Sequence, residues 1–274
     1  MANEFPQALT IAGSDSDGSA GMQADLHTFF RRRVYGTSVL TACVAGNSYG
    51  IHDAVNLPTS FIDQEFKDLA DDYHIRASKT GMLSDSELIR TVIKNYQKYD
   101  FGPLVVDPVI TTKHGNMLLE QSAYQTLRDE LIPLATVITP NFFEAQKLAE
   151  MTIETKDDMQ TAARKLKALG AKNIVLKGSH HDPNQSEVSD YILLESGKSF
   201  WLTGAFFDTD RKNGTGDSSP HVSLLNWQRA PLLKLPAGLL KNSLIRRLKM
   251  KSRLVTSSVQ SIIGHPQTNY NQTA

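Results

Sequence analysis

The stretch Gly214-Thr215-Gly216-Asp217 sets two glycines around a threonine and follows them with a carboxylate. Glycines let successive backbone N–H groups turn toward one anion, and a helix opening just beyond them would add the positive end of its dipole. A carboxylate beside such a cradle can take the proton of a hydroxyl that attacks a phosphoryl group. A tight turn with an N-cap Asp accounts for the same residues without chemistry. Upstream, Asn141 and Glu144 stand three apart where a helical pattern begins, on one face, with oxygens suited to Mg2+ directly or through water; simple capping is the other reading. Asp107 ends the apolar run in VVDPV, held extended by Pro108, and near Glu144 it would make a harder cation site than either carboxylate alone. Lys177, closing NIVLKG, would bring an ammonium against phosphate oxygens, with Gly178 admitting the backbone, although a lysine at a strand end is commonplace. Lys113 lies in a candidate flap after Asp107.

The loop GSDSDGSAG has no Gly-Lys-Ser/Thr and no Gly-x-Gly-x-x-Gly, so it is neither a Walker loop nor a dinucleotide fingerprint. It reads as a substrate loop in which Asp15 accepts hydrogen bonds from a polar ring or hydroxyl. His180 and His181 are adjacent in a loop and read as solvated, because ligands on one helical face would stand three or four apart.

The elements that must hold these residues alternate along the chain. ALTIA is a short apolar strand, and Met22, Leu26, Phe29 and Phe30 after the loop have helical spacing. GTSVLTACVAG reads as a second buried strand, and residues 59–72 as a helix. IRASKTGML is strand and loop, and the next helix opens with Ser84 and Glu87 as a capping box. PLVVDPVI, ATVITPN and NIVLKG are further strands, with helices expected over 120–131, 141–150 and 157–169. Strands alternating with amphipathic helices predict an α/β fold with a mainly parallel central sheet and helices on both faces. Ligands of such sheets gather outside the carboxyl ends of the strands. Asp15, Asn47, Lys79, Asp107, Asn141, Lys177 and Asp217 each follow a predicted strand.

The chain has 274 residues, 40% of them hydrophobic, which fits one large domain. A single cysteine, Cys43, excludes an intrachain disulfide framework, and the lack of an apolar N-terminal run points to the cytoplasm. The formal net charge of zero conceals an asymmetry: all 29 acidic residues lie at or before Asp217, whereas the 57 residues after it carry eight Lys and Arg. A basic, acid-free tail suits a nucleic-acid or membrane arm in principle. It contains neither a recognition module nor a membrane-length apolar run, so no nucleic acid and no membrane is expected as a partner.

In order, ALTIAGSDSDGSAGMQADL, KTGML, VVDPV, VITPNFFEA, IVLKG and NGTGD resemble the vitamin kinases of the ribokinase-like superfamily, in the group of hydroxymethylpyrimidine/phosphomethylpyrimidine kinases and pyridoxal kinases. The resemblance runs from about residue 7 to Asp217. It implies ATP- and Mg2+-dependent phosphorylation of a hydroxymethyl group on a small heteroaromatic ring, in a protein that forms a homodimer as relatives commonly do. Asp217 would be the catalytic base, with the backbone amides of Gly214, Thr215 and Gly216 on the transferring phosphoryl group. Asp107, Asn141 and Glu144 would manage Mg2+ and phosphates, and Lys177 would neutralise phosphate charge. Asp15, Asn47 and Met82 would surround the ring, with Lys113 near the flap. Hydroxymethylpyrimidine kinases usually carry Gln where this chain has Gly46; losing that amide removes a hydrogen-bonding pair worth about 1 kcal/mol. The expected ring is therefore pyridoxal or pyridoxine, with hydroxymethylpyrimidine as the alternative.

After Asp217 the resemblance stops. The family continues into a helix rich in small residues, whereas this chain reads SSPHVSLLNWQRA. Permitted codons for residues 218–230 with the first two bases of Pro231, regrouped from the last base of each codon, encode Phe-Ser-Ala-Cys-Ile-Thr-Ala-Glu-Leu-Ala-Lys-Gly-Ala, which is such a helix. Residues 249–259 regroup to a sequence ending Gly-His-Val-Ile-Gly-Pro, close to the family's ending. The expectation is a one-base shift of the reading frame, dividing the chain into a kinase core, 1–217, and an atypical basic tail, 218–274. Pro220, Pro231 and Pro236 interrupt any replacement helix, each costing about 3 kcal/mol in a helix interior. Irregular backbone beyond about residue 220 follows, with weak or absent catalysis and retained ligand binding as the alternative outcome.

Overall fold

A computed structural model of the chain describes residues 5–47, 49–110, 119–179 and 185–206. The expected apolar runs become strands: β1 (Gln7–Ala12), β2 (Tyr35–Leu40), β5 (Ile75–Thr80), β6 (Leu104–Val106), β7 (Val137–Ile138) and β8 (Asn173–Leu176). They form the parallel part of an eight-stranded sheet ordered β10-β9-β8-β7-β6-β5-β1-β2, in which β9 (Glu187–Leu193) and β10 (Ser199–Ala205) add an antiparallel edge. β1 is buried at five consecutive positions, which is why its sequence is apolar at Ala8, Leu9, Ile11 and Ala12 without a polar face, the one polar residue among them, Thr10, being buried as well.

Helix α1 (Gly21–Arg31) brings Leu26 and Phe29 onto the face formed by Ala8, Ala77, Val105 and Val137. The opposite face is covered by α2 (Thr59–Asp72), α3 (Ser86–Lys98), α4 (Gln121–Thr126), α5 (Phe142–Ala149) and α6 (Lys156–Ala168), whose Ile62, Phe66, Ile89, Val92, Leu148 and Leu166 are buried. The expected α/β architecture, helices on both faces of a mainly parallel sheet, is the one observed. The chain leaves β1 for β2 on one side and later returns to β5 on the other, so strand order reverses between β1 and β5. A crevice opens at the carboxyl ends of strands at such a reversal.

Three local expectations are corrected. GTSVLTACVAG is not one strand: β2 stops at Leu40, and β3 (Ala42–Asn47) pairs antiparallel with β4 (Gly50–Asn56) in a separate two-stranded sheet. Ala12 at the end of β1 takes the Thr41 N–H (3.1 Å), and from Ala42 onward the backbone satisfies its hydrogen bonds chiefly against β4. The helix expected over 120–131 is α4 running into a π-helical turn, Leu127–Leu131, and a 3-10 turn, Ile132–Leu134, because Pro133 has no N–H with which to continue an α-helix. The cap of α3 is Asp85, not Ser84: its Oδ1 accepts from the Leu88 N–H (2.8 Å), while Ser84 donates to Oδ2 of the same carboxylate (3.3 Å).

Candidate active site

Adjacent parallel strands deliver their following residues to one rim, and β6, β7 and β8 deliver Asp107, Asn141 and Lys177. Asp107 is 4% exposed, accepts from Thr139 Oγ1 (3.4 Å) and lies 3.6 Å from Lys177 Nζ. The Lys177 backbone N–H donates to Pro140 O (3.0 Å), carrying the β7–β8 register past the ends of both strands and holding the residue at the strand end.

Asn141 is the N-cap of α5. Its side chain accepts from Glu144 N–H (2.9 Å), and Glu144 Oε2 accepts from Asn141 N–H (2.8 Å), a reciprocal capping box. Glu144 Oε1 reaches the Ile110 N–H (3.3 Å), so this buried carboxylate joins the loop after β6 to the start of α5. Burial pushes the Glu144 carboxyl from its ordinary 4.5 up to about 8; the Lys177 ammonium pulls it down, Asp107 adds to the rise, and the two backbone bonds oppose it. Asp190, in β9, accepts from Gly178 N–H (2.9 Å). Its carboxylate end is enclosed although the residue keeps partial exposure, and that burial raises its pKa against the pull of Gly178 and Lys177.

The second part of the rim is the crevice between β1 and β5. Its floor is glycine: a Cβ on Gly81 would lie 2.9 Å from Ala12 Cβ, and one on Gly21, where φ is +59°, would lie 2.6 Å from Gly13 O. A Cβ on Gly13 would lie 3.6 Å from Ala42 Cβ and 3.9 Å from Met82 Cε, so the half-buried Met82 and the base of β3 face this floor. Asp15 turns its carboxylate to its own loop, accepting from Ala20 N–H (2.9 Å) and more distantly from Asp17 N–H and Ser19 Oγ (3.4 Å each). Beneath the floor Lys79 Nζ lies 3.0 and 3.1 Å from the two oxygens of Asp25, which also accepts from Thr10 Oγ1, all three residues buried.

The structure thus brings Asp107, Asn141, Glu144 and Lys177 to one end of the rim, and Asp15 and Met82 to the other. Asn47 is not on the rim of the central sheet; it ends β3 in the exposed hairpin and accepts from Tyr49 N–H (2.9 Å). Lys113, Gly214, Thr215, Gly216 and Asp217, and the tail from 218 to 274, lie outside the described residues. Sequence reasoning missed Asp25 and Asp190. Asp25 was detectable, because it stands on the apolar stripe of α1 three residues after Met22 and four before Phe29, where an acid requires a partner. Among the described residues no group of three or more His, Cys, Asp or Glu could hold a metal ion. Two carboxylates, one beside an ammonium and the other holding two backbone N–H groups, suit a divalent cation that keeps water and phosphate oxygens around it, not an all-protein cage.

A family profile described as Phosphomethylpyrimidine kinase matches residues 15–221. A hydroxymethylpyrimidine/phosphomethylpyrimidine kinase of Haemophilus influenzae is 43% identical over 211 residues, 77% of this chain and 78% of that protein. A pyridoxine kinase of Bacillus subtilis is 39% identical over 214 residues, 77% of this chain and 78% of that protein. Among solved structures, an ADP complex of Bacillus subtilis pyridoxal kinase superposes with a TM-score of 0.75 at 35% identity, covering 83% of this chain and 85% of that one.

Proposed function

The chain belongs to the phosphomethylpyrimidine kinase family, within the ribokinase-like vitamin kinases, and from that premise we propose that it transfers the γ-phosphoryl group of ATP to the hydroxymethyl group of a hydroxymethylpyrimidine. The observation that carries this reading is the meeting of Lys177 and Asp107, from the ends of β8 and β6, near Glu144 in the first turn of α5, beside a glycine-floored crevice. Phosphoryl transfer requires positioning and charge stabilisation more than covalent help from the protein. Lys177 supplies a cation for phosphate oxygens at the β8 end of the rim. The ring lies over Gly13, Gly21 and Gly81 against Met82, near Asp15 and with Asn47 on the hairpin beyond, and its hydroxyl points along the rim toward Lys177. Asp217 takes the hydroxyl proton as the oxygen bonds to phosphorus and the bond to ADP breaks; the amides of Gly214 to Gly216 meet the phosphoryl oxygens, and Lys113 contributes to binding the substrate. Asp107 would hold Mg2+, with Glu144 and Asn141 able to reach it directly or through water. When bound, the metal neutralises phosphate charge.

The preference for a pyridoxal-type ring drawn from Gly46 gives way to the pyrimidine, because the relative at 43% identity is a hydroxymethylpyrimidine/phosphomethylpyrimidine kinase and the pyridoxine kinase stands at 39%. Pyridoxal or pyridoxine remains the second reading, supported by that pyridoxine kinase and by the absent Gln side chain at position 46. The family match ends at residue 221, close behind Asp217, which supports a shifted reading frame and a chain of low activity that still binds its ring. The test is kcat/KM for hydroxymethylpyrimidine, pyridoxal and pyridoxine, measured on this chain and on one carrying the regrouped ending. Tenfold or greater preference for the pyrimidine is expected; preference for pyridoxal or pyridoxine would reverse the assignment.

A further inference from the structure

The β3–β4 hairpin stands clear of the central sheet, with every residue of β4 exposed. The end of β4 is held to the cap of α3, where Asn56 Nδ2 donates to Asp85 Oδ2 (2.7 Å), and β3 is tied along its length by the loop after β1. Ser14 N–H donates to Ala42 O (2.8 Å), and Val44 N–H donates to Ser14 Oγ (3.3 Å). Gly46 N–H donates to Ser16 Oγ (2.9 Å), which in turn donates to Gly46 O (2.7 Å). Serines two apart therefore address residues 42, 44 and 46 of β3, the alternation a neighbouring strand would use, with hydroxyls standing in for a backbone ladder. Gly46 is fitted to this arrangement. A Cβ there would lie 2.8 Å from Gly50 O and 3.2 Å from Ile51 Cα, beside the register shift between Ala45 and Gly46.

We infer that Ser14 and Ser16 are positioning residues for the ring substrate: by fastening the hairpin to the loop that carries Asp15, they fix one wall of the crevice over Gly13 and Met82. Gly13 abuts both Ala42 at the base of the hairpin and Met82 across the crevice, so movement of β3 away from Ser14 widens the space above the glycine floor. Asp15, held by Ala20 N–H, gives the serines a fixed base on the other side. On the function proposed above the nucleotide phosphates belong to the Lys177 end of the rim, at β8, with β7, β6 and β5 between it and β1. The inference rests on the reading above that the ring occupies the β1–β5 crevice.

The experiment compares the full chain with Ser16→Ala, Ser16→Thr and Ser14→Ala/Ser16→Ala. Calorimetry gives dissociation constants for hydroxymethylpyrimidine, pyridoxine and ADP, and hydrogen exchange follows the amides of Val44 and Gly46. Ser16→Ala should weaken ring binding about fivefold, the factor for one net hydrogen bond, with ADP affinity within about twofold and faster exchange at Gly46. The double variant should weaken it further, and Ser16→Thr should restore both readouts. Unchanged ring affinity in the double variant, or equal losses for ring and ADP, would overturn the inference. A parent chain that binds neither ring would overturn the ring assignment itself, and the positioning role with it; a parent that binds while the variants match it sinks the positioning role alone.

Discussion

Glu144 shows how one side chain can fasten local structure while its charge opposes burial. Its carboxylate closes the capping box of α5 and takes Ile110 N–H, yet it is buried among groups that do not repay the full cost of its charge. With its pKa raised from 4.5 to about 8, the folded chain holds more protons than the unfolded chain between those values, so the stability due to this group is complete below about pH 4.5 and is lost as pH rises toward 8. Asp190 and Glu65 are raised by burial as well and act in the same direction, so the contribution of Glu144 must be read as a difference. Urea unfolding between pH 5 and 8 should show a smaller decline for Glu144→Gln than for the parent chain; parallel declines would mean that Glu144 is not the residue responsible.

At the scale of elements, the buried pair of Lys79 and Asp25 joins β5 to α1 directly under the crevice floor. Lys79→Met leaves the Asp25 carboxylate buried without its cation and should cost about 3–5 kcal/mol in urea unfolding. Adding Asp25→Leu should recover most of that loss. A single substitution costing under about 1 kcal/mol would show that the pair does not hold these elements together. Much at this scale was legible in advance. Residues 59–72 became α2 with the expected bounds, because Ile62, Phe66 and Leu69 repeat at helical spacing, and α6 differs by one residue at each end. Rim residues at the ends of β6 and β8 followed from apolar runs that stop at a polar residue. The break at Thr41 was not legible, since it depends on residues 42–47 pairing antiparallel with β4, a run the apolar pattern does not mark. β4, GIHDAVN, is exposed throughout and leaves no apolar alternation to read. The β9–β10 hairpin had a signal, apolar runs at Tyr191–Leu193 and Phe200–Leu202 around a turn with Gly197 at φ +82°, that the alternation of strands and helices overshadowed.

The molecule as a whole pairs a rim that suits phosphoryl transfer with a sequence that leaves its family just behind the proposed base. The family match and the charge balance change within a few residues of each other, at residue 221 and Asp217. One shifted base would account for both changes, and neither requires any alteration of the rim built by residues 5–206. The chain with the regrouped ending is therefore the setting in which the rim can be tested by itself. The most direct measurement is kcat/KM for ATP in that chain with and without Lys177→Ala. If the ends of β6, β7 and β8 form the phosphate site, removing the ammonium should lower kcat/KM at least about a hundredfold, the scale for losing one preorganised electrostatic group. Undiminished turnover without Lys177 would contradict the account.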